Sequence, residues 1–235
     1  IRWQNLDADV SNKGLELVLN SNIINKKDFT WGLGVNLTFI KNTVKNLCAP
    51  ILVGQLFGQG TSQTQVQVIQ SGYALNSFYT RDFQSVDKTT GQSVYTSDGN
   101  VFYIVGNPNP NKIVGISTNL SYKKLSFSAN MNGAYGHQIY NNTRMSVLPI
   151  GNLGSRNVAA NLLNTGESLT NPITASSRYL EKGDFLKLAN ARLAYNFGAL
   201  GKDISGLTLY VGGQNLFVLT DYTGFDPEVN QVNTF

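Results

Sequence analysis

Strict alternation dominates this chain. From Phe29 the sequence reads FTWGLGVNLTFI, so Phe29, Trp31, Leu33, Val35, Leu37 and Phe39 share one face while Thr30, Gly32, Gly34, Asn36 and Thr38 share the other. The preceding stretch GLELVLNSNII, residues 14–24, also reads as a strand, and the short polar turn NKKD joins the two into a hairpin. The same plan recurs twice. IVGISTNLSY (113–122) and LSFSANMNGAY (125–135) are separated by a KK turn, and FLKLANARLAYNF (185–197) is followed by GLTLYVGGQNLF (206–217). No helical period competes with these six segments.

The polar faces distinguish between two kinds of sheet. A soluble sandwich normally covers its solvent face with Lys, Glu and Arg, whereas the second hairpin carries Ser, Asn, Thr and Gly there and confines its charges to the turn. An apolar face rimmed by aromatics, backed by small uncharged polar residues, suits a strand between lipid and a wet or plugged interior. Connection lengths add an independent asymmetry. NKKD, KK and GALGKDIS, after strands one, three and five, are short, while the connections after strands two and four, about 41–112 and 136–184, are long and rich in Gly, Asn, Pro and aromatics. Short turns at one end and long loops at the other form the plan of an outer-membrane barrel. The expected fold is therefore all-β, an antiparallel transmembrane β-barrel portion with long external loops.

Composition agrees with that expectation. Only 14% of the 235 residues are charged, and Asn is the most frequent residue. The net charge of +4 is scattered, without the basic stripe that nucleic-acid binding requires. Cys48 is the sole cysteine and reads as an inert loop thiol. No apolar run is long enough for a membrane helix, which has no bearing on strands of about 9–11 residues.

A family resemblance rests on an ordered series of segments. VSNKGLELVL, DFTWGLGVNLTFIKNTVKNL, GNPNPNKIVGISTNLSYKKLSFSANMNGAYGHQIYNNTR, NTGES, SSRYLEKGDFLKLANARLAYNFG and LTLYVGGQNLFVLTDYTGFDPEVN together resemble the carboxy-terminal part of SusC/RagA-type TonB-dependent outer-membrane transporters. Lys187 stands where such proteins often carry Arg. The resemblance implies about six strands of a barrel of roughly 22. It also implies that the plug domain and the final closing strand lie outside residues 1–235. The implied activity is import of a glycan or a peptide nutrient across the outer membrane of a Gram-negative bacterium, without enzymatic chemistry or cofactor. The implied partners are a SusD-like surface lipoprotein acting as a lid, TonB with its inner-membrane energising complex, acting through polypeptide outside this chain, and membrane lipid. Tyr222, Phe225, Asp226 and Glu228 would shape the last external loop.

Candidate contacts follow from side-chain chemistry. Tyr73, Phe78, Tyr79, Tyr95 and Tyr103 crowd the first long loop with Phe83 and Phe102, offering flat faces with polar tips for a ligand, or packing for the loop itself. Phe29, Trp31, Phe39 and Tyr210 read as lipid-facing or belt residues. Catalytic and metal readings fail on inventory. His137 is the only histidine and reads as a surface loop residue, GQLFGQGTS lacks the lysine of a phosphate-binding loop, and Asp184, Asp226 and Glu228 form no convincing glycosidase pair. The competing reading is a secreted all-β carbohydrate-binding or adhesin module, whose apolar strand faces would pack against a second sheet.

Overall fold

The computed structural model describes residues 7–57 and 64–228. In chain order its strands are β1 (Asp9–Lys26), β2 (Phe29–Lys45), β3 (Ile51–Gln55), β4 (Gln65–Ile69), β5 (Ser77–Arg81), β6 (Phe83–Val86), β7 (Ser93–Tyr95) and β8 (Phe102–Gly106). They continue with β9 (Lys112–Tyr122), β10 (Leu125–Tyr135), β11 (Gln138–Tyr140), β12 (Leu180–Lys182), β13 (Phe185–Leu200) and β14 (Ile204–Thr220), with a short helix α1 (Asn142–Ser146) after β11. The six segments expected from alternation form one antiparallel sheet in the order β1-β2-β9-β10-β13-β14. Each strand pairs with the next in that order, so two long excursions, 46–111 and 136–184, leave and return without breaking the meander.

Register aligns the apolar positions into a continuous band. Leu17, Leu37, Val114 and Gly133 lie in one cross-strand row, and Leu19, Val35, Ile116 and Met131 in the next. Nearer the turns, Trp31, Leu120, Phe127, Leu193 and Val211 continue the same face. Aromatics rim it at the turn end, where Phe29 meets Tyr122 edge-on at 6.4 Å and Tyr195 meets Phe197 at 4.7 Å. Phe39 and Tyr135 both stand opposite Lys112 at the other rim. Phe39 stands ten positions beyond Phe29. At about 3.3 Å per residue and a tilt of about 40° they span roughly 25 Å along the membrane normal, the height of a barrel's apolar band. Trp31 sits within the band with its indole N–H satisfied by Thr118 Oγ1 at 3.1 Å.

All three tight turns lie at one end. The Lys123 amide donates to Asp28 O and the Asn196 amide to Lys124 O, tying neighbouring hairpins together there. Both excursions emerge at the opposite end, as the connection lengths predict. β2 runs to Lys45, further than the boundary at residue 41 expected from sequence, and its buried Val44 exchanges backbone hydrogen bonds with Gly72 and Tyr73. The excursions are not irregular loops. The first folds into a four-stranded sheet, β3-β4-β5-β8, with the hairpin β6-β7, and the second contributes β11-β12 and α1. No helix among the described residues is long and apolar enough to cross a membrane, which says nothing of strands.

Candidate functional site

The two excursions meet in a seam that contains the chain's own hydrophobic core. Leu56 and Val66 of the first pack with Met145, Ala175 and Tyr179 of the second, flanked by Tyr140 and Ile173. Tyr140 lies at the centre, its ring 6.3 Å from Phe78 on one side and 6.3 Å from Tyr179 on the other. Its hydroxyl donates to Met145 Sδ and accepts from the Ser176 amide, and burial pushes the phenol well above its ordinary pKa.

Polar contacts register the seam. The Phe83 amide donates to Ser177 Oγ, which donates to Asp82, and Asn171 exchanges two hydrogen bonds with Ser93. Arg178 is the clamp. Its guanidinium makes a two-pronged pair with Glu167 at 2.7 and 2.5 Å while its face lies 5.1 Å from the Phe83 ring centre. Burial works to raise the Glu167 pKa, but hydrogen bonds from Arg178 and Asn171 outweigh it and hold the carboxyl below its usual range.

Between the seam and the last loop, residues 221–228, opens a cleft of about 900 Å³. Its lining is rich in side-chain amides (Gln55, Gln67, Asn109, Gln138, Asn141, Asn142) with aromatics at the edge (Phe57, Tyr222, Phe225). Glu181 fixes one wall. Its carboxylate accepts from the Thr223 amide and hydroxyl at 2.8 Å, from Asn141 at 3.1 Å and from Arg144 at 3.1 Å. Burial favours the neutral acid, yet these donors, Thr223 first, keep its pKa below that of an ordinary carboxyl. The same loop is anchored lower down. The Glu228 amide donates to Asp226 Oδ1, and the Glu228 carboxylate pairs with Lys187 and accepts from Asn132. Lys187 and Asn132 are cross-strand partners on the polar face, so the loop folds back over that face.

His137 lines the cleft half-buried, rather than standing on the surface. Its carbonyl accepts from the Gly183 amide, and a Cβ on Gly183 would fall 2.5 Å from His137 Nε2. Glycine is therefore what lets the ring lie there. Burial lowers the imidazole pKa against an opposing pull from Asp184.

The structure sorts the other sequence candidates. Phe78 is buried in the seam, Tyr79 stacks on Phe102 at 5.6 Å, Tyr95 meets Phe83 edge-on at 6.1 Å, and the Tyr103 hydroxyl reaches Ser97. These four are spent largely on packing the first excursion. Tyr73 remains open, in a separate hollow of about 560 Å³ against β2. In the last loop Asp226 and Glu228 shape the backbone, Tyr222 is half-buried, and Phe225 is 98% exposed. Phe29, Trp31 and Phe39 lie on the apolar face. Tyr210 does not. It pairs with Ala194 in the row of Thr30, Ser121 and Ser126, on the polar face, and stacks with Arg192 at 4.1 Å. Its parity with Thr208 and Gly212 carried that information in the sequence. Arg178, Glu167 and Glu181 were missed, although the charge cluster of SSRYLEKGD is conspicuous in a chain with so few charges.

No group of three or more His, Cys, Asp or Glu suited to a metal occurs among the described residues. No protein-family model matches the sequence. Over 96% of its length the chain is 30% identical to TonB-dependent receptor P3 of Formosa agariphila, covering 26% of that protein. It is 27% identical to TonB-dependent receptor SusC of Bacteroides thetaiotaomicron, over 96% of this chain and 25% of that protein. Among solved structures, the RagAB peptide transporter superposes with a TM-score of 0.76 at 24% identity, over 93% of this chain and 27% of the other. The RagAB peptide importer in its open-open state gives 0.77 at 24% identity, over 94% and 26%. The chain thus spans about a quarter of the length of these relatives. With the apolar band, the one-sided turns and these relatives taken together, the chain is similar in sequence and in fold to part of the barrel of SusC/RagA-type TonB-dependent transporters.

Proposed function

We propose that the chain supplies wall and outer rim to an outer-membrane transporter of a Gram-negative bacterium that imports an oligomeric nutrient, glycan or peptide, by TonB-dependent gating. The supporting observation is the sheet's two-sidedness. Its apolar face is exposed even on the inner strands, with Phe39 41%, Phe127 37% and Leu193 42% accessible, and no second sheet covers it among the described residues. Lipid suits such a face, and a secreted all-β module, which would bury it, is disfavoured. The small polar face then lines the lumen. The residues belong to the carboxy-terminal part of the barrel, with the plug and the closing strand elsewhere in the polypeptide. A SusD-like lipoprotein would cap the excursion end, where Tyr73, the amide-lined cleft and the exposed Phe225 meet lid or cargo. TonB would act through the plug. No bond chemistry is required, only gated passage.

Purification from outer membranes in mild detergent tests this reading. A polypeptide several times longer than this chain, accompanied by a lipoprotein and losing uptake when TonB is deleted, is the expected result. A detergent-independent species of 25.7 kDa overturns it.

A further inference from the structure

Resting on that reading, we propose that Lys41 and Lys112, with Lys13 beside them, bind the phosphorylated sugar headgroup of an outer-leaflet glycolipid of the lipopolysaccharide type. On the apolar face the register climbs outward through Val35 and Ile116, then Leu37 and Val114, then Phe39 and Lys112. Lys41 stands two positions beyond Phe39, directly opposite Lys13. At about 3.3 Å per residue and a tilt of about 40°, that places it roughly 5 Å outside the aromatic rim, where headgroups begin. β2 and β9 are inner strands with both neighbours in place. Lys112 stands between Phe39 and Tyr135, and Lys41 lies beside Asn111, whose carbonyl accepts from the Ile40 amide. All three lysines are exposed, and no ion pair among the described residues involves any of them. Asp9, four positions from Lys13 along β1, faces Lys45 and accepts from Asn46. Like charges directly opposite one another repel, so Lys13 and Lys41 gain from an anion seated between them. A phosphate supplies that charge, and Ser11 and Thr43 in the next outward row add hydroxyl donors. Acyl chains of the same molecule would lie along Leu37 and Val114 below. Lys41 also lines the hollow of about 560 Å³, together with Asn107, Asn109 and Asn111. Side-chain amides beside a phosphate site suit sugar hydroxyls, which favours a glycolipid over a simple phospholipid.

The test uses the full-length transporter with its lipoprotein, extracted from outer membranes in mild detergent and stripped of bound lipid. The detergent requirement of the wild type checks the transporter reading by itself, and a detergent-independent species sinks that reading whatever the lysines do. Purified lipopolysaccharide is then added back and its binding read by native mass spectrometry. Lys41→Gln and Lys112→Gln should each weaken binding about fivefold, the scale of one basic residue at an anionic membrane surface. Replacing Lys13, Lys41 and Lys112 together should weaken it about a hundredfold. Lipopolysaccharide with its phosphates removed should bind the wild type no better than the intact lipid binds the triple variant. Lys27→Gln, at the turn end, should behave as wild type. These side chains are exposed, so the heat-resistant barrel band should persist and report folding. Wild-type binding by the triple variant, or equal binding of the dephosphorylated lipid, would overturn the proposal. So would equal binding of phosphatidylglycerol, which would assign the lysines to any anionic lipid, or full competition by inorganic phosphate at matched concentration, which would assign them to a free anion.

Discussion

The six-stranded sheet and the excursions above it bury their residues in opposite ways. On the inner strands of the sheet, Phe39, Phe127 and Leu193 remain more than a third exposed, whereas Met145 and Thr80 in the excursions are wholly buried. A transmembrane sheet needs no core of its own, because lipid covers one face and neighbouring strands satisfy the backbone. The excursions extend into water and must bury apolar area against themselves, as a small soluble domain does. One chain therefore follows two solvation rules, and the change falls near Val44 on β2, where a strand side chain first becomes fully enclosed.

Mutations should separate the two regimes. Removing the Tyr179 ring from the seam by Tyr179→Ala should cost about 4 kcal/mol. Protease should then cut the excursions of the full transporter while the heat-resistant barrel band persists; loss of the band would show that sheet and seam fold as one unit. Arg178→Ala leaves the Glu167 carboxylate buried without its pair, at about 3 kcal/mol, and the double replacement with Glu167→Gln should recover part of that in a thermal melt of the excursions. On the sheet, Phe127→Arg should cost roughly 2 to 3 kcal/mol of insertion, measured by urea unfolding in lipid. Its neighbour on the polar face, Ser126→Arg, should change little. Equal costs would erase the distinction between the faces.

Smaller effects probe the cleft wall. Gly183→Ala drives a Cβ into the His137 ring and should cost about 1 to 2 kcal/mol, read as faster cleavage of the second excursion. Thr223→Val removes a donor to Glu181 and should weaken the last loop's anchorage by about 1 kcal/mol or less. The pH dependence has a definite sign. Because the folded-state pKa of Glu181 is depressed, its contribution is fully present above the ordinary Glu value of about 4.3 and is lost as pH falls through the lower folded value. Protease sensitivity of the 221–228 loop should stay flat down to about pH 4.5 and rise only in stronger acid. Glu181→Gln should remove that rise.

Period-two alternation made all six long strands and their order legible, because register keeps apolar positions on one face and chain proximity keeps each hairpin together. The connection lengths gave the ends of the barrel for the same local reason. Tyr210 was misplaced because its aromatic character outweighed its parity, and in a strand parity decides the face. The small sheets of the excursions were hidden for a different reason. β5 and β6 are short and separated by one residue, and beyond their pairings with β4, β8 and β7 they lean on contacts from the distant second excursion, Arg81 with Ser176 and Phe83 with Ser177. The aromatics of that region were recognised as a group, but sequence could not separate packing from display; only the partners of Phe78, Tyr79 and Tyr95 do so.

The seam joins positions as far apart as Asp82 and Ser177, and two transmembrane strands lie between its halves. Neither half can change its packing surface alone without unmatching the other. In recombination among such barrels, naturally or by design, the two excursions form a single unit of inheritance. A chimaera that exchanges residues 46–111 together with 136–184 would keep a matched seam on a borrowed barrel. One that exchanges either alone would set unrelated surfaces face to face.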